Sequence, residues 1–324
     1  MKAIVQDRYG VLEFGTVDTP VAGDDEVLVE VRAASVNAWD WHVMRGDPYL
    51  SRLMFGLRRP RRRIRGRDFA GTVAAVGKNV TRFRPGDEVY GDLGALEGTF
   101  AEYVSVPDGQ IERKPANLTF EEAAAVPLAA NTALMGLRDV AGVQPGQRVL
   151  LNGASGGVGT FALQLAKSFG ATVTAVCSTR NVQLVTDLGA DHVIDYTQQD
   201  FTRAGEQYDV VFDLVGNHSL RALRRTVAPG GILVLSGGGV SRGGSLVGPM
   251  GLVIKAELVA RFARDRIVRL TEAPSRENLV TLRELIESGK VTPVVDRTYP
   301  LTETAAAIDY VEVEHARAKV VISV

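Results

Sequence analysis

Gly156, Gly157 and Gly159 fall within four residues, between the apolar runs Val149-Leu150-Leu151 and Thr172 to Cys177. A pyrophosphate approaches a helix N-terminus closely only where no side chain stands between it and the backbone N–H groups. The set Ala154, Ser155, Gly156, Gly157, Val158 and Gly159 clears that space just ahead of a helix-period segment, Thr160 to Phe169. Alanine takes the place of the first glycine of the usual fingerprint, giving Ala154-x-Gly156-x-x-Gly159. A strand before, a helix after and a second strand at the right distance read as a dinucleotide turn. The competing reading is a glycine-rich turn in another α/β fold. At the end of the second run, a chain that takes NAD carries a carboxylate for the ribose 2′-OH. Here stand Ser178, Thr179, Arg180 and Asn181, with no acid before Asp187. Hydroxyl and amide donors beside a guanidinium suit a dianionic 2′-phosphate, so the expected cofactor is NADPH. A solvated loop arginine is the plainer reading of Arg180.

The elements that must position these residues show in the texture of the chain. As far as about Lys114, short β-type runs (Glu26–Val31, Gly71–Val76, Glu88–Tyr90, Phe100–Val104) alternate with Gly, Pro and Asp, which suggests an irregular antiparallel barrel. From about Phe120, apolar runs at Val149–Leu151, Thr172–Val176, His192–Ile194, Asp209–Phe212 and Ile232–Leu235 alternate with helical segments. That alternation marks a doubly wound parallel sheet. A helical pattern near Arg276–Ser288 leads into Val291–Tyr299 and a closing run, Lys319 to Val324, so the tail is expected to return to the first domain. The expected organisation is a β-rich domain from residues 1–120 and 271–324 around a cofactor domain from 121–270.

A chain of 324 residues, 45% apolar and 23% charged, can bury a large core. A net charge of −1 gives no global argument for nucleic acid or a membrane, and neither is expected as a partner. No apolar run approaches membrane-spanning length, and Met1 to Val5 leads straight into an alternating strand without a signal-type apolar segment. The expectation is a cytoplasmic enzyme. The lone cysteine, Cys177, ends an apolar run and reads as buried packing. The four histidines (His42, His192, His218, His315) lack metal-ligand spacing, so no metal is expected. Between Arg58 and Arg67 seven of ten residues are arginine. That run reads as a solvated loop, or as a mobile flap that attracts an anionic cofactor or substrate. It lacks the interleaved aromatics of a nucleic-acid surface.

Several segments together resemble the zinc-free, quinone oxidoreductase-like branch of the medium-chain dehydrogenase/reductase superfamily. They are Ser35-Val36-Asn37-Ala38-Trp39-Asp40, Gly66-Arg67-Asp68-Phe69-Ala70-Gly71, Arg84-Pro85-Gly86-Asp87-Glu88-Val89-Tyr90, Ala154 to Gly159 and Gly289-Lys290-Val291-Thr292-Pro293. The resemblance runs over essentially the full length. It implies a GroES-like catalytic domain, a Rossmann cofactor domain, an active site in the cleft between them and a homodimer. It also implies NADPH-dependent reduction of quinones, enones or enals.

Residue by residue, the resemblance places Asn37 and Asp40 on the cleft segment and Thr132 on the nicotinamide side. Ala154 to Gly159 fall on the pyrophosphate turn, and Ser178, Arg180 and Tyr196 on the 2′-phosphate. Val215-Gly216 and Ser236-Gly237-Gly238 fall at strand ends lining the nicotinamide pocket. Lys319 is similar to a family lysine near the cofactor, against the alternative of a surface lysine.

Zinc-dependent relatives carry a cysteine, a Gly-His-Glu and a four-cysteine lobe, where this chain has Asn37, Gly66-Arg67-Asp68 and no cysteine cluster. An alcohol dehydrogenase label would then be a family name only. Without a Lewis acid, hydride addition to a conjugated acceptor is easier than alcohol oxidation, because the charge spreads into an enolate or hydroquinone anion. Asn37 and Thr132 are expected to position nicotinamide and acceptor. Two other readings stand beside this one. An enoyl-thioester reductase would use Tyr49 as proton donor, although Tyr49 lies one residue out of the family register. A non-catalytic NADPH-binding partner protein would keep the turn and Arg180 alone. A short-chain dehydrogenase is excluded, since no tyrosine is followed by lysine four positions on.

Overall fold

The computed structural model of the chain describes residues 1–236, 266–313 and 316–324. The alternating apolar runs become a parallel sheet. In spatial order its strands are His192–Asp195, Thr172–Cys177, Arg148–Asn152, Tyr208–Asp213, Val227–Leu235 and Arg266–Arg269. Strands buried on both faces need apolar residues at successive positions, and Val149, Leu150 and Leu151 are each fully buried. Leu150, Val176, Phe201, Val211, Leu223 and Leu233 pack into one core on this sheet. The strand order reverses between Arg148–Asn152 and Tyr208–Asp213. The turns after these two strands therefore flank the crevice where doubly wound sheets take ligands. The helix predicted from Thr160 to Phe169 runs Gly157–Ser168.

The other sheet is mixed. Its strands run Val295–Pro300, Lys319–Ser323, Glu26–Val36, Asp68–Val76, Glu88–Asp92 and Ile111–Arg113, with Tyr103–Pro107 also pairing with Glu26–Val36. Only the pairing of Val295–Pro300 with Lys319–Ser323 is parallel among the described residues. Glu26–Val36 alternates buried and half-buried residues through Val31, then is buried from Ala33 to Val36. The small Ala33, Ala34 and Ser35 let both faces be covered. Ser35 lies opposite Asp68, and Val36 opposite Val320. The end of this strand thus sits between Asp68 on one side and the start of Lys319–Ser323 on the other.

Two strand predictions shift. Phe100–Val104 is not one strand: pairing runs Tyr103–Pro107, and Phe100 is a fully buried core plug. The run from Val291 joins its ladder only at Val295, after Pro293, which offers no N–H. Compact units also depart from the expected boundaries at 120 and 271. One comprises Met1–Asn131, Ala273–Gly289 and Pro293–Val324, the other Thr132–Glu272 and Lys290–Thr292. The first keeps the helix Phe120–Ala124, which packs on Glu26–Val36 and Asp68–Val76. The second holds its short return through Gln164, whose Nε2 donates to Thr292 O (3.0 Å) and whose Oε1 accepts the Thr292 N–H (2.8 Å).

Candidate functional site

The turn between Arg148–Asn152 and Gly157–Ser168 is fixed by close backbone approach. At Gly159 a Cβ would lie 2.2 Å from Gly153 O and 2.6 Å from Ala154 C, so the helix's first turn packs directly on the chain before it. Gly153 has φ of +90°, and a Cβ there would meet Val215 Cγ2 at 2.6 Å. The sequence reading missed Gly153; its signal was a glycine directly after the strand's last residue. Gly156 differs, since a Cβ there would come only to 3.4 Å from Gly153 O. Its missing side chain clears space ahead of the helix N-terminus, where N–H groups have no intrahelical acceptor and the dipole favours an anion. Ala154 is buried, while Ser155, Gly157 and Val158 are half-buried along this edge.

Asn181 ties the turn to the loop after Thr172–Cys177. Its Nδ2 donates to Ser155 Oγ (3.0 Å) and Ser178 Oγ (3.2 Å). Each hydroxyl accepts that bond and so keeps its own proton to give. Asn181 Oδ1 is buried without a partner. Arg180 and Tyr196 are exposed beside this loop. The nearby Asp195 accepts from Thr179 Oγ1 (2.5 Å), from Thr197 and from Gln198, and the Thr179 bond above all holds its carboxyl below the ordinary range.

On the other side of the switch point, Asp213 Oδ1 accepts from Asn152 Nδ2 (2.8 Å), Val215 N–H (3.2 Å) and Gly216 N–H (3.0 Å). One buried carboxylate thereby holds the Val215-Gly216 turn against the end of Arg148–Asn152, a role no local sequence pattern signals. Ser236 N–H donates to Asp213 O (2.9 Å). Gly237 lies outside the described residues. Thr132 is buried in the helix Pro127–Leu134 and belongs to this same unit.

In the β-rich unit, Asn37 caps the helix Ala38–Arg45, and Asp40 Oδ2 reaches back to the Asn37 N–H at 2.7 Å. The Asn37 side chain is committed at both ends: Oδ1 accepts from Lys319 Nζ (2.6 Å) and Nδ2 donates to Asp68 Oδ2 (3.0 Å). Asp68 also accepts from Ser35 Oγ (2.9 Å), from the Leu128 N–H (3.0 Å) and from Lys319 Nζ (3.4 Å). Lys319 is 2% exposed, which removes the surface-lysine reading and seats its ammonium on Asn37 and Asp68. Burial opposes both charges, pulling the Asp68 carboxyl up and the Lys319 ammonium down. Asp40 is fully buried, and loss of solvent pushes its carboxyl up to about 7. Asp40 Oδ1 has no partner.

Beside this cluster the arginine run divides, which corrects its reading as one solvated loop or flap. Arg67 pairs bidentately with Asp92 (2.9 and 2.5 Å), and Arg65 pairs with Glu97; all four are buried. Arg58, Arg59, Arg61, Arg62 and Arg63 are exposed. Tyr49 is 48% exposed, with the Arg52 guanidinium 4.8 Å from its ring centroid. Cys177 is buried, which pushes its thiol up to about 11, as inert packing requires.

A sequence model described as an alcohol dehydrogenase GroES-like domain matches residues 23–116, and one described as a zinc-binding dehydrogenase matches residues 188–322. The 2-methylene-furan-3-one reductase of Solanum lycopersicum is 35% identical over 99% of this chain and 79% of its own length. The quinone oxidoreductase structure from Coxiella burnetii superposes with a TM-score of 0.87 at 31% identity, over 100% of this chain and 99% of that one. The chain belongs to the quinone oxidoreductase-like branch of the medium-chain dehydrogenase/reductase superfamily. Another member, the chloroplastic NADPH-dependent alkenal/one oxidoreductase of Arabidopsis thaliana, is 34% identical over 99% of this chain and 79% of its own length. As a medium-chain dehydrogenase/reductase the protein is an oxidoreductase, with a GroES-like unit and a Rossmann-type unit.

Two groups that this superfamily implies can be tested against the residues present. A dinucleotide fits: the Gly153 to Gly159 turn clears its backbone, and Ser155 and Ser178 have protons to donate. Zinc does not fit at Asn37 and Asp68, where the carboxylate takes its bonds from an amide, a hydroxyl and a buried ammonium. Among the described residues, no group of three or more His, Cys, Asp or Glu could hold a metal ion.

Proposed function

We propose that this oxidoreductase uses NADPH to reduce a quinone or an α,β-unsaturated carbonyl without zinc, as a homodimer in the cytoplasm. The observation that carries the reading is the Lys319 ammonium bonded to Asn37 and Asp68, in the segments where zinc-dependent relatives keep their ligands. A donor set closed on an ammonium offers no Lewis acid to polarise a simple carbonyl. A conjugated acceptor needs less, because the arriving charge delocalises. Relatives named for alkenal/one and quinone substrates support the same choice.

Bound NADPH supplies a hydride to the acceptor. The chain's part begins at Ser155 and Ser178, whose hydroxyls, set by Asn181, are assigned to cofactor phosphates, with Arg180 assigned to the 2′-phosphate. Asp213 fixes the Val215-Gly216 turn that is assigned to the nicotinamide end. Thr132 keeps its assignment to the nicotinamide side. Asn37, with both amide ends engaged, acts by holding Lys319 and Asp68 in place rather than by donating to the acceptor. Asp40, whose fully buried carboxyl is pushed up to about 7 by loss of solvent, is able to hold a proton near neutral pH.

Steady-state oxidation of NADPH and NADH against benzoquinone, an alkenal, a crotonyl thioester and a simple ketone tests the reading. Turnover confined to conjugated acceptors and faster with NADPH is expected. Turnover of the ketone with stoichiometric zinc in the purified protein would overturn it. A crotonyl thioester preferred over every other acceptor moves the assignment to an enoyl-thioester reductase.

A further inference from the structure

Five of the exposed large apolar side chains among the described residues fall within nine consecutive positions: Tyr49, Leu50, Leu53, Met54 and Leu57. Leu53, Met54 and Leu57 are 59%, 69% and 68% exposed. Directly after them come the exposed Arg58, Arg59, Arg61, Arg62 and Arg63, and no acidic residue occurs between Tyr49 and Arg63. Local bonds anchor this segment. The Phe55 ring stands edge-on to Trp39 with centroids 5.2 Å apart. The Arg52 guanidinium lies over the rings of Tyr9 and Tyr49 and donates to Gly46 O (3.0 Å) and Arg45 O (3.1 Å). Tyr9 Oη donates to Gly56 O at 2.5 Å. With Arg52 and Phe55 tied down, the intervening Leu53 and Met54 turn to solvent.

The apolar and basic parts meet at Leu57. Leu57 lines an open concavity together with Arg58, Arg59, Arg61 and Arg63, and with Gln6 and Asp7. Asp7 is spent on Arg63 in a bidentate pair (2.7 and 3.0 Å). Among the described residues, no carboxylate pairs with Arg58, Arg59, Arg61 or Arg62. Arg65 and Arg67, two positions apart at the end of the run, show what this chain does when an arginine is structural: it buries a carboxylate against each.

We propose that residues 49–63 form a peripheral docking surface for an anionic lipid bilayer, with Leu53, Met54 and Leu57 entering the headgroup boundary and Arg58, Arg59, Arg61 and Arg62 meeting lipid phosphates. Exposed aliphatics flanked by unpaired guanidinium groups match a surface that is apolar beneath and anionic above. Guanidinium also binds phosphate oxygens bidentately. A soluble polyanion would engage the arginines and leave the leucines in water. A second copy, docked about a two-fold axis, would bury the leucines but set arginine against arginine. No helix among the described residues is long and apolar enough to cross a membrane. The proposal is independent of which acceptor the enzyme reduces.

The test is sedimentation of the whole protein with vesicles of phosphatidylcholine alone, and with phosphatidylglycerol added. Wild type is expected to pellet with the anionic vesicles only. Arg58→Gln/Arg59→Gln/Arg61→Gln/Arg62→Gln should weaken that binding by roughly a hundredfold or more. Leu53→Ser/Met54→Ser/Leu57→Ser should bind at low salt and release at physiological salt, where wild type stays bound. Matching thermal melts establish that both variants fold. Wild type left in the supernatant with anionic vesicles at low salt overturns the proposal, as does an arginine variant that pellets like wild type. Three further outcomes also overturn it. If the serine variant alters only the sedimentation-equilibrium mass, the patch belongs to a second copy. If it alters only the KM for a soluble quinone, the patch covers the substrate. Wild type that binds inorganic polyphosphate but not the vesicles assigns the arginines to a soluble polyanion.

Discussion

Around residues 153–159 and the neighbouring Ser178 the groups that matter are left open: backbone N–H groups at the helix N-terminus and two serine hydroxyls, in space cleared by what the glycines lack. Around Asp68 a carboxylate, an amide, a hydroxyl and an ammonium face one another, closed to solvent. The first arrangement is sensitive to added atoms and indifferent to charge elsewhere. The second should tolerate changes of shape better than the loss of any one charge, because a buried charge stripped of its partner keeps its full desolvation cost.

That contrast fixes where each region breaks. Lys319→Met strands Asp68 without its cation and should cost about 3–5 kcal/mol in urea unfolding. Adding Asp68→Asn should return part of that loss, and a single variant as stable as wild type would erase the distinction. Asp40 sharpens the same side. Its carboxyl is raised from 3.8 to about 7, so the folded protein holds the proton more tightly than the unfolded chain. The stability this confers is complete below the ordinary carboxylate range and is lost as pH rises through about 7. Wild type should lose on the order of 2–3 kcal/mol between about pH 5 and about pH 8 relative to Asp40→Asn, which keeps an acceptor for the cap. Parallel pH profiles for the two proteins would remove Asp40 from the cluster's electrostatics.

On the open side, Gly159→Ala forces a Cβ onto Gly153 O and should cost roughly 1–3 kcal/mol together with NADPH binding, read by melting with and without NADPH. Arg180→Glu should shift the ratio of kcat/KM for NADPH over NADH toward NADH by at least about tenfold. An unchanged ratio would sink the 2′-phosphate assignment. Gly156→Ala is the smallest change: its Cβ has room, so stability should move by less than about 1 kcal/mol while the KM for NADPH rises.

The two regions were unequally legible in the sequence for the same physical reason. The glycine turn is written in neighbouring residues, and the strands around it are long enough in Val, Leu and Ala to show their period. Lys319 stands 282 residues from Asn37 and 251 from Asp68, so no window of sequence contains the cluster. Resemblance alone drew attention to Lys319, and it pointed toward the cofactor rather than toward Asp68. Arg65 and Arg67 looked like members of a solvated run because their partners, Glu97 and Asp92, lie 32 and 25 residues on. Asp213 and Asn181 act through side-chain bonds to atoms their own segments do not reveal.

The distance between Lys319 and its partners also bears on the order in which the protein is made. When the strand Asp68–Val76 leaves the ribosome, the cation that neutralises Asp68 and the strand that will cover Ser35 and Val36 are still untranslated. The Rossmann-type unit, nearly all of it one run from Thr132 to Glu272, can condense before then. The unit whose chain begins first is therefore the one that finishes last, and its nascent form carries an unneutralised carboxylate through most of synthesis.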